Sequence, residues 1–364
     1  MYYCKTHVPY YKDGSDTISQ RKANDPDEEE VRRCTSCSIS GMSGITGFLS
    51  RDDWIYAFLL VSTFGVAFAH RFVPSSHYYS VLHHSGGIVG FLAAVLILGW
   101  KIVYSIPVAI FSYVAIKYTP MKYNSRMPLF VFVSVFSYLL VVRHLHSFVN
   151  ISELASQANA VQLLITLRAI GLAFEVSDGR INRTNPGKLK PRRYLSADPS
   201  TFDIFNYFYH YCGLFTGPYY TFQVLSDSFD PAAAPFHARY QAVGLYEEVK
   251  KRLMTVLWSM PLFITLNHFY PLDGLRTDEV FEWSLLYRLY YAAMVFTVFR
   301  MRVYSAWAVS ECVCVTLNIG IYPKESKPRI VVGPTDLEKF KENWTSGTAE
   351  HDSETTVNIE VGLV

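Results

Sequence analysis

Apolar and polar residues are segregated along this chain into long blocks. Met1 to Ser50 is polar and contains KDGSDT, QRKANDPDEEEVRR and the Ser/Gly-rich SCSISGMSG. From Trp54 the character changes to a series of apolar runs: Trp54–His70, Val81–Trp100, Ile102–Ile116, Pro128–Val142 and Asn159–Val176. The last of these admits polar residues. An aromatic stretch, Phe202–Tyr220, comes next, then Leu253–Tyr270. A longer run from Ser284 to Tyr322 is interrupted by Arg300-Met301-Arg302, and after Pro323 the chain is polar again.

A membrane-spanning helix needs ~20 mostly apolar residues. Several runs reach that length. The shorter, polar-tolerant ones suit helices packed inside a bundle, tilted, or running part-way through the bilayer. The pattern predicts an all-α integral membrane protein, a polytopic bundle of about seven to nine helices. It divides the chain into a polar N-terminal extension (1–50), expected to be disordered, a multi-helix membrane domain (51–323) and a polar loop or tail (324–364). No apolar core of a secretory signal stands near the start.

Composition agrees. Hydrophobic residues make up 50% of the 364 and charged residues only 18%, against about a quarter in soluble domains. Mean hydropathy is positive, +0.14. The linkers carry too little charge to clothe so many helices in water. The net charge of +2 gives no case for nucleic acid as a partner.

Loop charges predict orientation. Arg71 follows the first run. Lys117, Lys122 and Arg126 follow the third, and Arg180, Arg183, Lys188, Lys190, Arg192 and Arg193 follow the fifth. Alternating runs put these loops on one side, expected to be cytosolic. The basic loop 180–193 is also suited to anionic lipid or a phosphorylated co-substrate.

FNYFYHYCGLFTGPYY, Phe205–Tyr220, packs rings beside a helix-breaking Thr-Gly-Pro. Irregular backbone at membrane depth is tolerated only where it is buried in protein or lines a cavity. The stretch therefore predicts the wall of an internal chamber, with Thr216 to Tyr219 turning the chain. A belt of interfacial aromatics on a kinked helix is the alternative.

Polar groups within the runs are the candidates for chemistry. They are Gln162, Arg168 and Glu175 in the fifth run, and Arg300, Arg302 and Glu311 in the last; Glu311 needs a partner, for which Arg300 and Arg302 are the candidates although spacings of eleven and nine are not the direct helical contact of three or four. The substrate-chamber candidates are Gln162, Glu175, Tyr209, His210, Thr216, Gly217, Pro218, Tyr219, Arg300, Arg302 and Glu311. Metal is not expected: His83-His84 and His144-x-His146 are too sparse, and Cys34-Thr-Ser-Cys37 lacks a second pair.

Three blocks carry a family resemblance: NAVQLLITLRAIGLAFEVSD (Asn159–Asp178), YHYCGLFTGPYYTFQVLSD (Tyr209–Asp227) and VFRMRVYSAWAVSECVCVTLNIGIYP (Val298–Pro323). The chain resembles the membrane-bound O-acyltransferases, and within them the lysophosphatidylinositol acyltransferase branch. A last trace is SETTVNIE, Ser353–Glu360.

The resemblance implies a multi-pass enzyme of the endoplasmic reticulum. It would move a fatty acyl group from acyl-CoA to a lysophospholipid, with lysophosphatidylinositol the acceptor, in phospholipid remodelling. The partners implied are membrane lipid, lysophospholipid and acyl-CoA. Acyl-CoA is a co-substrate, and no bound cofactor is implied. A His acting as general base, aided by an Asn, comes in the family after the region that SETTVNIE resembles. The chain ends at Val364, so neither role is carried to any residue here. The expectation is a form truncated before the catalytic region, with no catalytic residue among its 364. A non-catalytic lipid-binding scaffold or regulator is the alternative.

Overall fold

The computed structural model describes residues 51–148, 156–189, 193–329, 333–346 and 353–355. The N-terminal extension lies outside them, as do Lys190 and Arg192 of the basic loop.

Five helices come first, all but the third of them long: α1 (Arg51–His70), α2 (Ser75–Leu98), α3 (Ile106–Tyr118), α4 (Met127–Phe148) and α5 (Ser156–Thr184). Their breaks fall where the sequence cannot continue a helix. Pro74 precedes α2, and Gly99, at φ 56°, ends it. Pro107 sits in the first turn of α3, and Thr119-Pro120 closes it, because the residue before a proline is driven out of the helical region. Large apolar side chains such as Phe58, Ile88, Leu96, Leu129 and Phe130 face outward from α1, α2 and α4. Such faces belong in hydrocarbon. α5 is different. Val161, Ile165, Ala169, Leu172, Ala173 and Val176 are all buried, and α3, α4 and two short helices pack around it.

α6 (Thr201–Tyr209) and α7 (Phe222–Ser228) flank the aromatic loop. α8 (Ala234–Val243) leads into a hairpin of α9 (Leu245–Phe269) and α10 (Leu285–Thr316). A hydroxyl pair, Ser259 and Ser305 at 2.8 Å, joins α9 to α10, and α10 packs on α1. Seven described helices thus run to 13 residues or more. Stretches Asp53–His70, His77–Tyr104, Met121–His144 and Ser156–Thr184 are long and apolar enough to cross a membrane. α3 is apolar but short. α9 and α10 have the length, but α9 opens on Glu247, Glu248, Lys250, Lys251 and Arg252 and α10 carries Arg288, Arg300, Arg302 and Glu311.

The ends of α3 and α5 lie together: Arg180 donates to the Ile116 carbonyl at 2.8 Å and Asn124 to the Ser177 carbonyl at 2.9 Å. The loop after α5 meets the start of α2 around one cavity. The three basic loops therefore share one end of the bundle, as the alternation of runs predicts.

The expected polar tail is folded over part of its length. β1 (Ile321–Pro323) pairs antiparallel with β2 (Ser353–Thr355), Tyr322 opposite Glu354. α11 (Leu337–Ser346) seats Phe340 and Trp344 against Phe236, Tyr240 and Tyr322. Two rings four residues apart on one helical face are enough to anchor an otherwise polar ten-residue helix.

Gly86, Gly87 and Gly90 let α2 meet the end of α6 backbone to backbone. A Cβ on Gly90 would stand 1.9 Å from the Tyr209 carbonyl oxygen and 2.6 Å from the Tyr211 nitrogen. Neither main-chain atom can yield cheaply, so Gly90→Ala is expected to cost at least the roughly 1–3 kcal/mol typical of overpacking. Gly65→Ala, with open space around it, is the control. Thermal unfolding in detergent, read by size exclusion, compares the two.

Candidate functional site

The site is organised from α5. Arg168 on that helix is completely buried. Its Nη1 donates to the carbonyls of Tyr207, Phe208 and His210 at 2.9, 3.1 and 3.2 Å. Nη2 donates to the Cys212 carbonyl at 2.7 Å and to the Tyr220 hydroxyl at 3.1 Å. The guanidinium carbon lies 5.0 Å from the Tyr220 ring centroid and 5.7 Å from that of Tyr207. These carbonyls are the ones left over where α6 ends, and they require donors at a depth without water.

Two turns further along the same face of α5, Glu175 holds the other end of the loop. Its carboxylate accepts from the backbone N–H of Phe222 at 3.0 Å and of Gln223 at 2.9 Å. It thereby satisfies the exposed N–H groups that open α7. From Arg168 to Arg180 is about 18 Å of helix rise. The chain therefore enters beside Arg180, descends through α6 to the depth of Arg168, turns, and climbs back to α7. The rings of Tyr207, Phe208, Tyr209, Tyr211, Phe215 and Tyr220 are buried in this re-entrant loop, which is protein-enclosed backbone and not an interfacial belt. Gly213 and Gly217, at φ 71° and 92°, make the turn. α10 closes over it: Trp307 Nε1 donates to the Thr216 carbonyl at 2.7 Å, and the Ser310 hydroxyl donates to the Gly217 carbonyl.

The structure brings together most of the sequence candidates. Tyr209 shares a hydroxyl contact of 3.1 Å with Ser105. His210 takes the Cys212 N–H on Nδ1 at 3.3 Å, which leaves the proton on Nε2, without a hydrogen-bond partner among the described residues. Thr216, Gly217 and Pro218 form the turn, with the Pro218 carbonyl folded over Gly213, and Tyr219 packs on Gly171. The buried Gln162 amide likewise has no partner among the described residues.

The last helix departs from expectation. Glu311 is paired with Arg252 of α9 (3.0 Å, Nε to Oε2), which also grips Glu248 at 2.5 Å. Arg302 instead pairs with Asp53 of α1 at 2.5 Å, and Arg300 lies over the Tyr304 ring. The reason is geometric. Nine or eleven residues along one straight helix separate Glu311 from these arginines by about 14–17 Å, whereas Arg252 faces it across the hairpin.

A cavity of about 700 Å³ opens where the basic loop meets α2, α6 and α7. None of the eleven sequence candidates lines it. Its wall includes Tyr79, His83, Arg193, Asp198, Asp203, Gln223, Asp227 and Asp230. Asp227 is buried and accepts from Arg193 Nη1 at 2.6 Å, the Tyr322 hydroxyl at 2.6 Å and Gln223 Nε2 at 2.9 Å. Burial pushes its carboxyl above the usual range, and Arg193, Tyr322 and Gln223 oppose that without reversing it. His83 Nε2 donates to Asp203 at 2.7 Å, while Asp203 also takes the Ser200 N–H in the capping box that starts α6. Asp198 binds both Arg180 and Arg183. Its pairing partners lie 18 and 15 residues away, across a loop, with no sequence period to announce them. The basic character of the loop was the only available signal.

A family description of the membrane-bound O-acyltransferases matches residues 76–351, from α2 to beyond α11. The chain belongs to the membrane-bound O-acyltransferase family. It is 42% identical over 323 residues to membrane-bound acylglycerophosphatidylinositol O-acyltransferase mboa-7 of Caenorhabditis elegans, across 89% of this chain and 67% of that protein. To the Homo sapiens acylglycerophosphatidylinositol O-acyltransferase MBOAT7 it is 33% identical over 235 residues, 62% of this chain and 48% of that one. The chain thus spans about two thirds of the length of the nematode relative and about half that of the human one. Family and helices together make it a multi-pass integral membrane protein.

Two predictions follow from this geometry. Arg168→Met removes the donor from four buried carbonyls, each worth about 1–3 kcal/mol when left unsatisfied; Arg168→Lys restores the charge but not the fork. Both are expected to lose the monodisperse folded peak in detergent, the methionine variant completely.

Asp198 gives a pH signature. Burial alone would raise its carboxyl, but the hydrogen bonds and charges of Arg180 and Arg183 outweigh it and hold the pKa below the ordinary value. A carboxyl so depressed stabilises the fold above its unfolded pKa, near ~3.9, and the contribution fades as pH falls through the lower folded value. Protease cleavage between Arg183 and Arg193 is therefore expected to accelerate below about pH 4. Asp198→Asn should show that faster cleavage already at neutral pH.

Proposed function

We propose that this chain is a lysophospholipid O-acyltransferase acting in phospholipid remodelling. Its acceptor is lysophosphatidylinositol and its donor co-substrate is acyl-CoA. It works in the endoplasmic reticulum membrane, with the three basic loops on the cytosolic side. The observation that supports this reading most is that the family match runs through the whole re-entrant loop and on past α11. The relatives with 33–42% identity carry acylglycerophosphatidylinositol O-acyltransferase in their names.

The chemistry asks for two things. An acceptor hydroxyl oxygen attacks the thioester carbon and gives up its proton, and the CoA sulfur leaves as the thiol once protonated. Water must be kept out while this happens. The re-entrant loop, buried and held from both α5 and α10, is backbone rigid enough to position what packs against it. The cavity beside the basic loop holds the polar part of a substrate. The proton transfer is not assigned to any described side chain.

The test uses membranes of cells expressing the chain, supplied with labelled acyl-CoA and a panel of lysophospholipids. Transfer to lysophosphatidylinositol, at least about tenfold over the other headgroups, is the expected result, a discrimination of about 1.4 kcal/mol. Binding of lysophosphatidylinositol and acyl-CoA without transfer would leave a lipid-binding scaffold in place of an enzyme. Absence of both binding and transfer overturns the reading.

A further inference from the structure

We infer that Arg193 is a fixed anchor for a phosphate group in the cavity, held in position by residues from beyond the last long helix. This rests on the cavity being a substrate site, as proposed above.

Arg193 lines the cavity, and its side chain retains 26% of its exposure. One nitrogen, Nη1, is committed to Asp227. The guanidinium carbon sits 4.7 Å from the centroid of the Phe340 ring on α11. Nε and Nη2 have no partner among the described residues. An arginine gripped on one nitrogen and stacked on a ring has lost most of its rotamer freedom before any ligand arrives. Its remaining donors are therefore presented at low entropic cost. Paired, fixed N–H donors match the oxygens of a phosphate.

The grip is itself fixed. Asp227 is held by Tyr322 of β1 and Gln223 of α7 as well as by Arg193. Asp227, Tyr322 and Phe340 are thus positioning residues for Arg193, whose remaining N–H groups meet the ligand.

The other carboxylates on the wall do not compete for it. Asp198 is bound to Arg180 and Arg183, and Asp203 to His83 and the Ser200 backbone. Asp230 takes the Trp344 indole N–H at 3.0 Å and the Ala232 N–H at 2.9 Å. The hydroxyls of Ser80, Ser196 and Ser226 add donors around the cavity. Its volume falls in the range of sites for ligands of nucleotide or headgroup size. The phosphate has two possible sources, the phosphate esters of coenzyme A and the phosphodiester of lysophosphatidylinositol.

The experiment takes the full chain in nanodiscs of neutral lipid and titrates it separately with coenzyme A and with lysophosphatidylinositol, at low and high salt. Arg193→Gln alone strands a buried carboxylate, so the deciding variant is the double R193Q/D227N. It removes both charges; the amide oxygen still accepts from the Tyr322 hydroxyl, and the amide NH2 faces Gln223, whose side-chain amide turns its oxygen round to accept. At an unchanged unfolding temperature it is expected to bind about tenfold more weakly or worse, the loss of one charge-assisted contact, with a shallower salt dependence. Phe340→Leu keeps the charge and removes the ring beneath it, and a smaller loss is expected. A loss confined to coenzyme A identifies the nucleotide phosphates, and one confined to lysophosphatidylinositol identifies the headgroup. A double variant that binds both probes within about twofold of wild type overturns the anchor, since that is under 0.5 kcal/mol. Wild-type protein that binds neither probe removes the substrate reading of the cavity, and the anchor falls with it.

Discussion

A guanidinium at membrane depth has to be neutralised by whatever surrounds it, and around Arg168 that is the end of a broken helix. The carbonyls that α6 cannot satisfy internally are the acceptors the arginine requires. Each side of this bargain would be costly alone: a charge without acceptors, and a helix end without donors, both in a dry interior. Together they make the re-entrant loop possible. Glu175 repeats the logic with opposite sign, a carboxylate meeting the unpaired N–H groups that start α7. One helix thus carries a cation for one helix end and an anion for the next, seven residues apart.

The remainder of the bundle can be understood as support for that loop. α2 comes close because its glycines leave room for the end of α6. α10 closes the turn with an indole and a hydroxyl, and is tied to α1 and α9 by ion pairs on its other faces. The cavity then forms at the point where the climbing chain emerges beside the basic loop, between the capped start of α6 and the capped start of α7.

What the sequence revealed and what it hid follow from range. The apolar blocks and the turn at Gly217-Pro218 are local signals. Arg168 and Glu175 stood out because they are polar residues in an apolar run. The cavity wall was not legible. Arg193 meets Asp227 34 residues away, Tyr322 meets Asp227 across 95, and Glu311 finds Arg252 across 59. No period or motif connects such pairs. The polar composition after Pro323 likewise concealed α11, whose two buried rings are a small part of its length.

The stacking of Arg193 on Phe340 also sets an order of events. The arginine leaves the ribosome 147 residues before the ring, and Tyr322 is made shortly before that ring. While α1 to α5 insert, the arginine has neither its aromatic bed nor the hydroxyl that steadies its carboxylate. Contacts of such long sequence separation form late, after the local helices. The re-entrant loop can begin to assemble on α5 early, but the cavity acquires its finished wall only when the segment after the final long helix folds back. In this protein the wall of that cavity is among the last parts to be built.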